Sequence, residues 1–344
     1  MGVVAGVNDF KKQHPRGFVG AICGSVFFLL VLLSSRRNGI RESFTPYAYS
    51  PYGGETPLTL AIRPAGIKAA ATRAEQLWAN NVKKRNEFIK WKGGVDAIRM
   101  FTPREEPGWG QLYTIWDIFV PAFPCIWEQE RIGRVVDGGK YTCGLPRIAE
   151  VRRDKCVVYS FGVAQESSWE AELLERTECE IYMYDFSVEK YGPQIEWLDE
   201  PLRKRAHFFP YGIASKDGHV DGTPFYTLKT LMKMNGHDWI DILKVDVEGA
   251  EFQVLPDIIE EFGDNSLPFE QLLLELHVNE VRPTAYDAKA FIGFWNTLEA
   301  AGLRAFASEL NYPALHFTEY PQAIEINFLN YGGRRMSKSK LLID

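Results

Sequence analysis

Between Cys156 and Val278 the chain alternates five short apolar runs, CVVYSFGV, CEIYMYDF, AHFFPYGIA, WIDILKVDV and FEQLLLELHV, with stretches that read mostly as helix, such as QESSWEAELLERT and EGAEFQVLPDIIEEFG. Runs this short and this continuously apolar are strands covered on both faces, and helices between them make the sheet parallel. The expected class is α/β. Residues 286–301, YDAKAFIGFWNTLEAA, add an amphipathic helix, and LRAFASEL and QAIEINFL follow as closing strands. No internal repeat is visible.

Upstream, AAATRAEQLWANNVKKRNEFIKWK from Ala69 to Lys92 predicts an amphipathic helix with Leu77, Trp78, Phe88 and Trp91 on its apolar side, ended by Gly93 and Gly94. Residues 101–147, rich in Trp, Pro and Cys, read as an irregular cap. Residues 17–33, GFVGAICGSVFFLLVLL, carry no charge and lie between Arg16 and Arg36, the lower limit of a membrane span. A signal anchor over 17–35 is favoured over a cleaved signal, because the apolar run is long and no small-x-small cleavage chemistry stands before Arg36. The expected order is a cytosolic tail at 1–16, the anchor, a stem at 36–68 rich in Pro, Gly, Ser and Tyr, the helical and irregular cap at 69–150, the main domain at 151–330 and a tail at 331–344. Such a chain is a single-pass type II protein with a lumenal body, and a short span suits the thin bilayer of the endoplasmic reticulum or Golgi.

Charge and cysteine content narrow the partners. Residues 1–41 hold six Lys or Arg against Asp9, so of a net charge of −6 the rest of the chain carries about −11. An acidic body without a basic patch argues against a nucleic-acid partner. Outside the span, Cys125, Cys143, Cys156 and Cys179 permit two disulfides in an oxidising compartment, with buried free thiols as the alternative. Cys156 and Cys179 open adjacent strands in similar register, where they could reach disulfide distance; Cys125 with Cys143 would then be the remaining pair, and the connectivity stays open at this point. No CxxC pair marks a zinc site, and no residue is assigned to a metal.

In an open α/β sheet ligands bind at the carboxyl ends of the strands. The first run ends at Gly162, where backbone can approach a ligand. The second ends at Asp185, 23 residues later, where a carboxylate can hold ribose hydroxyls or simply order the turn before Ser187. The fourth ends in KVDVEGAE: Asp246 and Glu248 emerge at the edge, and Glu251 reads as a partner of the helix N-terminus. Two carboxylates beside a crevice repel one another unless a cation, proton or ligand donor lies between them. The fifth brings Glu275 and His277 to the neighbouring edge, and a histidine there is a candidate general base.

KVDVEGAE, preceded by TLKTLMKMNGHDWID and FFPYGIASKDG, resembles the FkbM-type class I methyltransferases. DGGKYTCGLP, CVVYSFGV, SSWE and CEIYMYDFSVEKYGP resemble a eukaryotic methyltransferase-like branch that often carries an N-terminal membrane anchor. The resemblance covers roughly residues 125–330. It implies a Rossmann-like, seven-stranded, mostly parallel sheet of order 3-2-1-4-5-7-6 and S-adenosylmethionine as cofactor over the first two strands. It puts Ser160, Phe161 and Gly162 beside the amino-acid portion of the cofactor, Asp185 at the adenosine ribose and Asp246 near the transferred methyl. The loop departs from the ExGxGxG form, with Tyr159 in the acidic place and one central glycine. The activity expected is methyl transfer to a hydroxyl of a glycan or small metabolite in the secretory pathway, with Asp246, Glu248 or His277 removing the proton. Two other readings stand beside it: a type II glycosyltransferase using Asp246 and Glu248 as a manganese and nucleotide-sugar site, and a non-catalytic lumenal protein on the same fold.

Overall fold

The computed structural model describes residues 64–102, 112–152, 156–263, 267–278, 287–317 and 320–331. The expected anchor at 17–35, with the tail and most of the stem, lies outside them. Among the described residues no helix is long and apolar enough to cross a membrane.

The chain enters through one long helix, Pro64–Trp91, followed by Gly93 and Gly94, both at positive φ, where the turn requires residues without a side chain. It starts five residues before the predicted boundary. Its buried side is also different: Ile67, Ala71, Ala74 and Ile89 face inward, whereas Leu77 and Trp91 are exposed. Polar contacts dock it. Arg85 pairs with Glu299, Trp78 donates its indole hydrogen to the same carboxylate at 3.0 Å, and the Arg304 guanidinium lies 3.6 Å from the centre of the Trp78 ring while binding Glu75.

The stretch read as irregular holds a hairpin, β1 (Gln129–Ile132) and β2 (Lys140–Cys143), in antiparallel register, then the helix Leu145–Arg152. The sheet strands follow as β3 (Val157–Phe161), β4 (Glu180–Tyr184) and β5 (Ala206–Phe209). Pro210 has no N–H to give a ladder, so the third apolar run does not continue as one strand. Its second half becomes β6 (Gly212–Ile213), which joins β7 (Gly218–Val220) and β8 (Thr223–Tyr226) in a separate small sheet. The main sheet resumes with β9 (Ile240–Val245), β10 (Phe269–His277), β11 (Leu303–Leu310) and β12 (Ala323–Asn330).

Across the main sheet the order is β5-β4-β3-β9-β10-β12-β11, which is 3-2-1-4-5-7-6 when its seven strands are counted along the chain. The pairs from β5 to β10 are parallel, and β12 runs antiparallel to both neighbours. All six residues of β9 and the first eight of β10 are buried. That is the signature of central strands with helices on both faces, here Ser168–Arg176, Leu228–Asn235, Glu251–Phe262 and Ala288–Ala300.

Both disulfides form: Cys156 with Cys179 at the entrances of β3 and β4, and Cys125 with Cys143 at the end of β2. The first closes a loop that contains the helix Ser168–Arg176 and ties the two strands whose far ends carry Gly162 and Asp185. Paired serine substitutions at Cys156 and Cys179 are expected to lower stability by about 3 kcal/mol through the freed chain entropy. Urea unfolding measures this loss, and alkylation of both thiols without prior reduction in intact protein would refute the bond.

Candidate functional site

The centre of the crevice is set by a backbone approach. Gly162 follows β3 at φ +76°, and a Cβ built on it would stand 1.6 Å from the carbonyl oxygen of Asp246. Only glycine fits there. Its amide donates to the Tyr184 carbonyl, its own carbonyl accepts from Lys244 Nζ at 2.9 Å, and the Asp246 amide donates to the Phe161 carbonyl at 3.1 Å. Three adjacent strand ends are thereby locked together.

The other residues expected in this loop divide by which part of them is used. Ser160 Oγ donates to Glu170 at 2.6 Å, and Glu170 lies 3.6 Å from Lys244, so the serine belongs to a buried polar group under the loop. Phe161 stacks on Tyr184 in the core and offers the edge only its main chain. Tyr159, in the place where the resemblance has an acid, is fully buried. Its hydroxyl bonds His237 and Asn235, and burial raises its pKa to about 12. Asp185 accepts from the Ala164 amide at 2.7 Å on one oxygen, and from the amide and hydroxyl of Ser187 on the other. It organises the turn and holds Ala164 at φ +47°. A carboxylate has about four acceptor positions, so three protein donors leave capacity for a ligand hydroxyl.

Beside Asp246 lies a charged cluster built from four places in the chain. Lys140, at the start of β2 and 1% exposed, brings its ammonium to Asp246 (3.3 Å), Glu275 (3.2 Å) and Glu325. The hairpin is held for this by Gln271 of β10, whose side-chain amide exchanges two hydrogen bonds with the main chain of Cys143, and by Asn327, which donates to the Tyr141 carbonyl. His277 closes the other side. Its Nδ1 is 3.0 Å from Glu251, a fully buried residue that also accepts the Val247 amide. Its Nε2 is 3.9 Å from Asp246, 3.9 Å from Glu248 and 3.7 Å from Glu275. Glu248 reaches this point from a backbone at φ +55°, a strained conformation for a non-glycine residue.

The charge states follow from these contacts. Burial works against the Lys140 charge, but Glu325, Asp246 and Glu275 hold it protonated, well above the ordinary lysine value. Burial likewise opposes a charged His277, yet the hydrogen bond and charge of Glu251, with Glu248 and Asp246, carry its pKa to about 10. These neighbours favour the protonated ring, in which both nitrogens are donors. Burial raises the Asp246 carboxyl to about 6 against the pull of Lys140, whereas for Glu275 the attraction of Lys140 and His277 outweighs burial and keeps it well below the usual range. Asp246, Glu275 and His277 each offer one ligand atom, all within 4.8 Å of one another, a set that can hold a metal ion.

Asp246, Glu248 and His277 thus converge on one point, with Glu275 among them, while Gly162 and Asp185 form the adjoining rim. The sequence reading missed Lys140, Lys244, Glu170 and Glu325 as parts of this edge and took Glu251 for a helix-end partner only. The available signal was charge inside apolar strands: Lys244 in DILKV, Glu275 in LLLEL and Glu325 in AIEIN. Buried charges are kept in compensating sets.

A mostly parallel seven-stranded sheet of this order, with a glycine turn and carboxylates at its carboxyl edge, is a Rossmann-like methyltransferase fold. The family described as Methyltransferase domain matches residues 92–323, more than half of the chain, and the chain belongs to that family. Among curated proteins it is similar to the rat "Probable methyltransferase-like protein 24", 27% identical over 146 residues, and to the human protein of the same name, 25% identical over 147 residues. Each alignment covers 38% of this chain and 35% of the relative, so the matched segment spans about a third of those proteins. Among solved structures it is similar to the Methanococcus jannaschii fibrillarin pre-rRNA processing protein, with TM-score 0.33 and 12% identity over 60% of this chain and 84% of that one. The Aeropyrum pernix fibrillarin, solved with natively bound S-adenosyl-L-methionine, gives TM-score 0.31 and 12% identity over 59% of this chain and 83% of its own.

Two substitutions test the site's construction. Gly162→Ala forces a methyl group into the Asp246 carbonyl and is expected to cost more than about 4 kcal/mol in denaturant unfolding; a variant of near wild-type stability would contradict the close approach. Lys140→Met strands three carboxylates without their cation and is expected to cost about 3–5 kcal/mol. Adding Glu325→Gln to it should restore part of that loss, and a double-mutant cycle with no coupling would show that the ammonium does not hold the cluster.

Proposed function

We propose that this protein is an S-adenosylmethionine-dependent methyltransferase of the FkbM type that methylates a hydroxyl group of a glycan or small metabolite. The observation that carries this reading is the apposition of Gly162 to the Asp246 main chain, with Asp185 ordering the neighbouring loop. It leaves the exposed Ala164 and Gln165 and the buried carboxylate of Asp185 beside a carboxylate floor, at the place where an α/β sheet binds a nucleoside. In the transfer the acceptor oxygen attacks the methyl carbon in line with the departing sulfur, the carbon–sulfur bond breaks, and S-adenosylhomocysteine leaves as a neutral thioether. The enzyme's task is mainly alignment and exclusion of water. The acceptor proton passes to a carboxylate at the edge, Asp246 or Glu248. A carboxylate-rich floor also suits a cofactor that arrives as a sulfonium cation.

The compartment belongs to the same proposal. Residues 17–35 anchor the chain as a single-pass type II protein of the endoplasmic reticulum or Golgi with its body in the lumen, a placement supported by two disulfides in the body. The acceptor is then a small molecule or glycan of the secretory pathway, and nucleic acid is not a partner.

Calorimetric titration of the full-length chain with S-adenosylmethionine is expected to give micromolar binding. Binding should be weaker by on the order of tenfold or more in Asp185→Ala, which loses both the ribose acceptor and the Ala164 contact. A folded protein with no affinity for the cofactor would overturn the reading.

A further inference from the structure

His277 Nε2 faces three carboxylate oxygens, from Asp246, Glu248 and Glu275, at 3.7–3.9 Å. These spacings are too long for hydrogen bonds. They suit atoms that share a third body: two ligands bonded to one ion at about 2.0–2.2 Å stand no more than about 4.4 Å apart. The widest spacing in the trio Asp246, Glu275 and His277 is under 4.8 Å and closes with a small side-chain shift.

The carboxylates are divided between two tasks. Asp246 gives Oδ2 to Lys140 and presents Oδ1 to His277; Glu275 gives Oε2 to Lys140 and presents Oε1 to His277, the same oxygen also accepting from Asn311 Nδ2 at 2.8 Å. Lys140 therefore fixes their backs while their other oxygens converge on Nε2. The ring is oriented from behind by Glu251, fully buried, which binds Nδ1 and leaves Nε2 pointing into the carboxylates. A carboxylate on the far nitrogen of an imidazole is the arrangement that orients metal-ligating histidines and raises their basicity. A separate observation points the same way. Glu325, opposite Glu275 in the β10–β12 register and 6% exposed, keeps one buried oxygen without a hydrogen-bond partner. Three carboxylates, at 246, 275 and 325, surround the ammonium of Lys140, and those at 246, 248, 251 and 275 surround the ring of His277.

We propose that Asp246, Glu275 and His277 form a binding site for one divalent cation of the class that accepts mixed carboxylate and imidazole ligands, with Glu248 as an additional carboxylate at its open side. Two oxygens and one nitrogen favour manganese or a similar first-row ion over calcium, which takes oxygen ligands alone. The ion enters as His277 releases its Nε2 proton to solvent, so one cation replaces one proton. Resting on the methyltransferase reading, the site would hold and polarise the acceptor hydroxyl beside the transferred methyl, and so favours acceptors with adjacent oxygens that can chelate, as in a sugar diol.

The test uses full-length, chelator-treated protein titrated with Mn2+ and followed by electron paramagnetic resonance. One bound Mn2+ per chain is expected, with spin-echo modulation from a directly coordinated imidazole nitrogen. His277→Ala and Asp246→Asn should each weaken binding by about tenfold or more, with folding checked by circular dichroism. No binding up to about a millimolar, or binding without nitrogen coupling in the unsubstituted protein, would overturn the site whether or not the variants fold. Calorimetry with S-adenosylmethionine on the same chelated sample separates the two readings. Cofactor binding without Mn2+ binding sinks the cation site alone, and Mn2+ binding without cofactor binding sinks the methyltransferase and leaves the cation site standing.

Discussion

One buried ammonium holds the carboxyl edge of this sheet together. Lys140 lies against carboxylates from the end of β9, from β10 and from β12, groups that would repel one another if left alone in a medium of low polarity. The lysine comes from a hairpin outside the main sheet. Its placement depends on Gln271 and Asn327 gripping the β2 main chain and on the Cys125–Cys143 bond at the strand's end. The cap is therefore a working wall of the site, and removal of the hairpin would leave the strand ends charged and uncompensated.

A second constraint is steric. β3 and β9 are neighbours, and the turns leaving them approach so closely that Gly162 has no room for a side chain beside the Asp246 carbonyl. Lys244 and Glu170 sit beneath this contact, and Asp185 steadies its outer rim through the Ala164 amide. The loop has a single central glycine, and the position where related loops carry an acid is filled by Tyr159, packed into the sheet's aromatic face. Polar groups below and beside the loop fix its position.

Much of the architecture could be read along the chain. Continuous apolar runs separated by helical segments specify a parallel sheet, and the observed strand order is the one that the motif resemblance implied. Strand register pointed to the Cys156–Cys179 bond, and Cys125–Cys143 was the pair that remained. Where the reading departed from the structure, a local rule had been overridden or overlooked: Pro210 splits the third run, and tertiary docking through Arg85, Arg304 and Trp78 turns the inward face of the first helix away from Leu77 and Trp91.

The sequence by itself determined which residues could stand at strand ends, because strand periodicity and motif spacing are local properties. It put Asp246, Glu248 and His277 on neighbouring edges and Gly162 and Asp185 on the adjoining ones. Only the tertiary structure decided what those residues are. His277 reads as a base in isolation; in place its pKa is carried up to about 10, because Glu251 stands behind it and Glu248 and Asp246, from the same turn, stand before it. Lys140 lies 106 residues from Asp246 and 185 from Glu325. Charge compensation across such separations is set by which chain segments pack together, and no pattern along the chain records it.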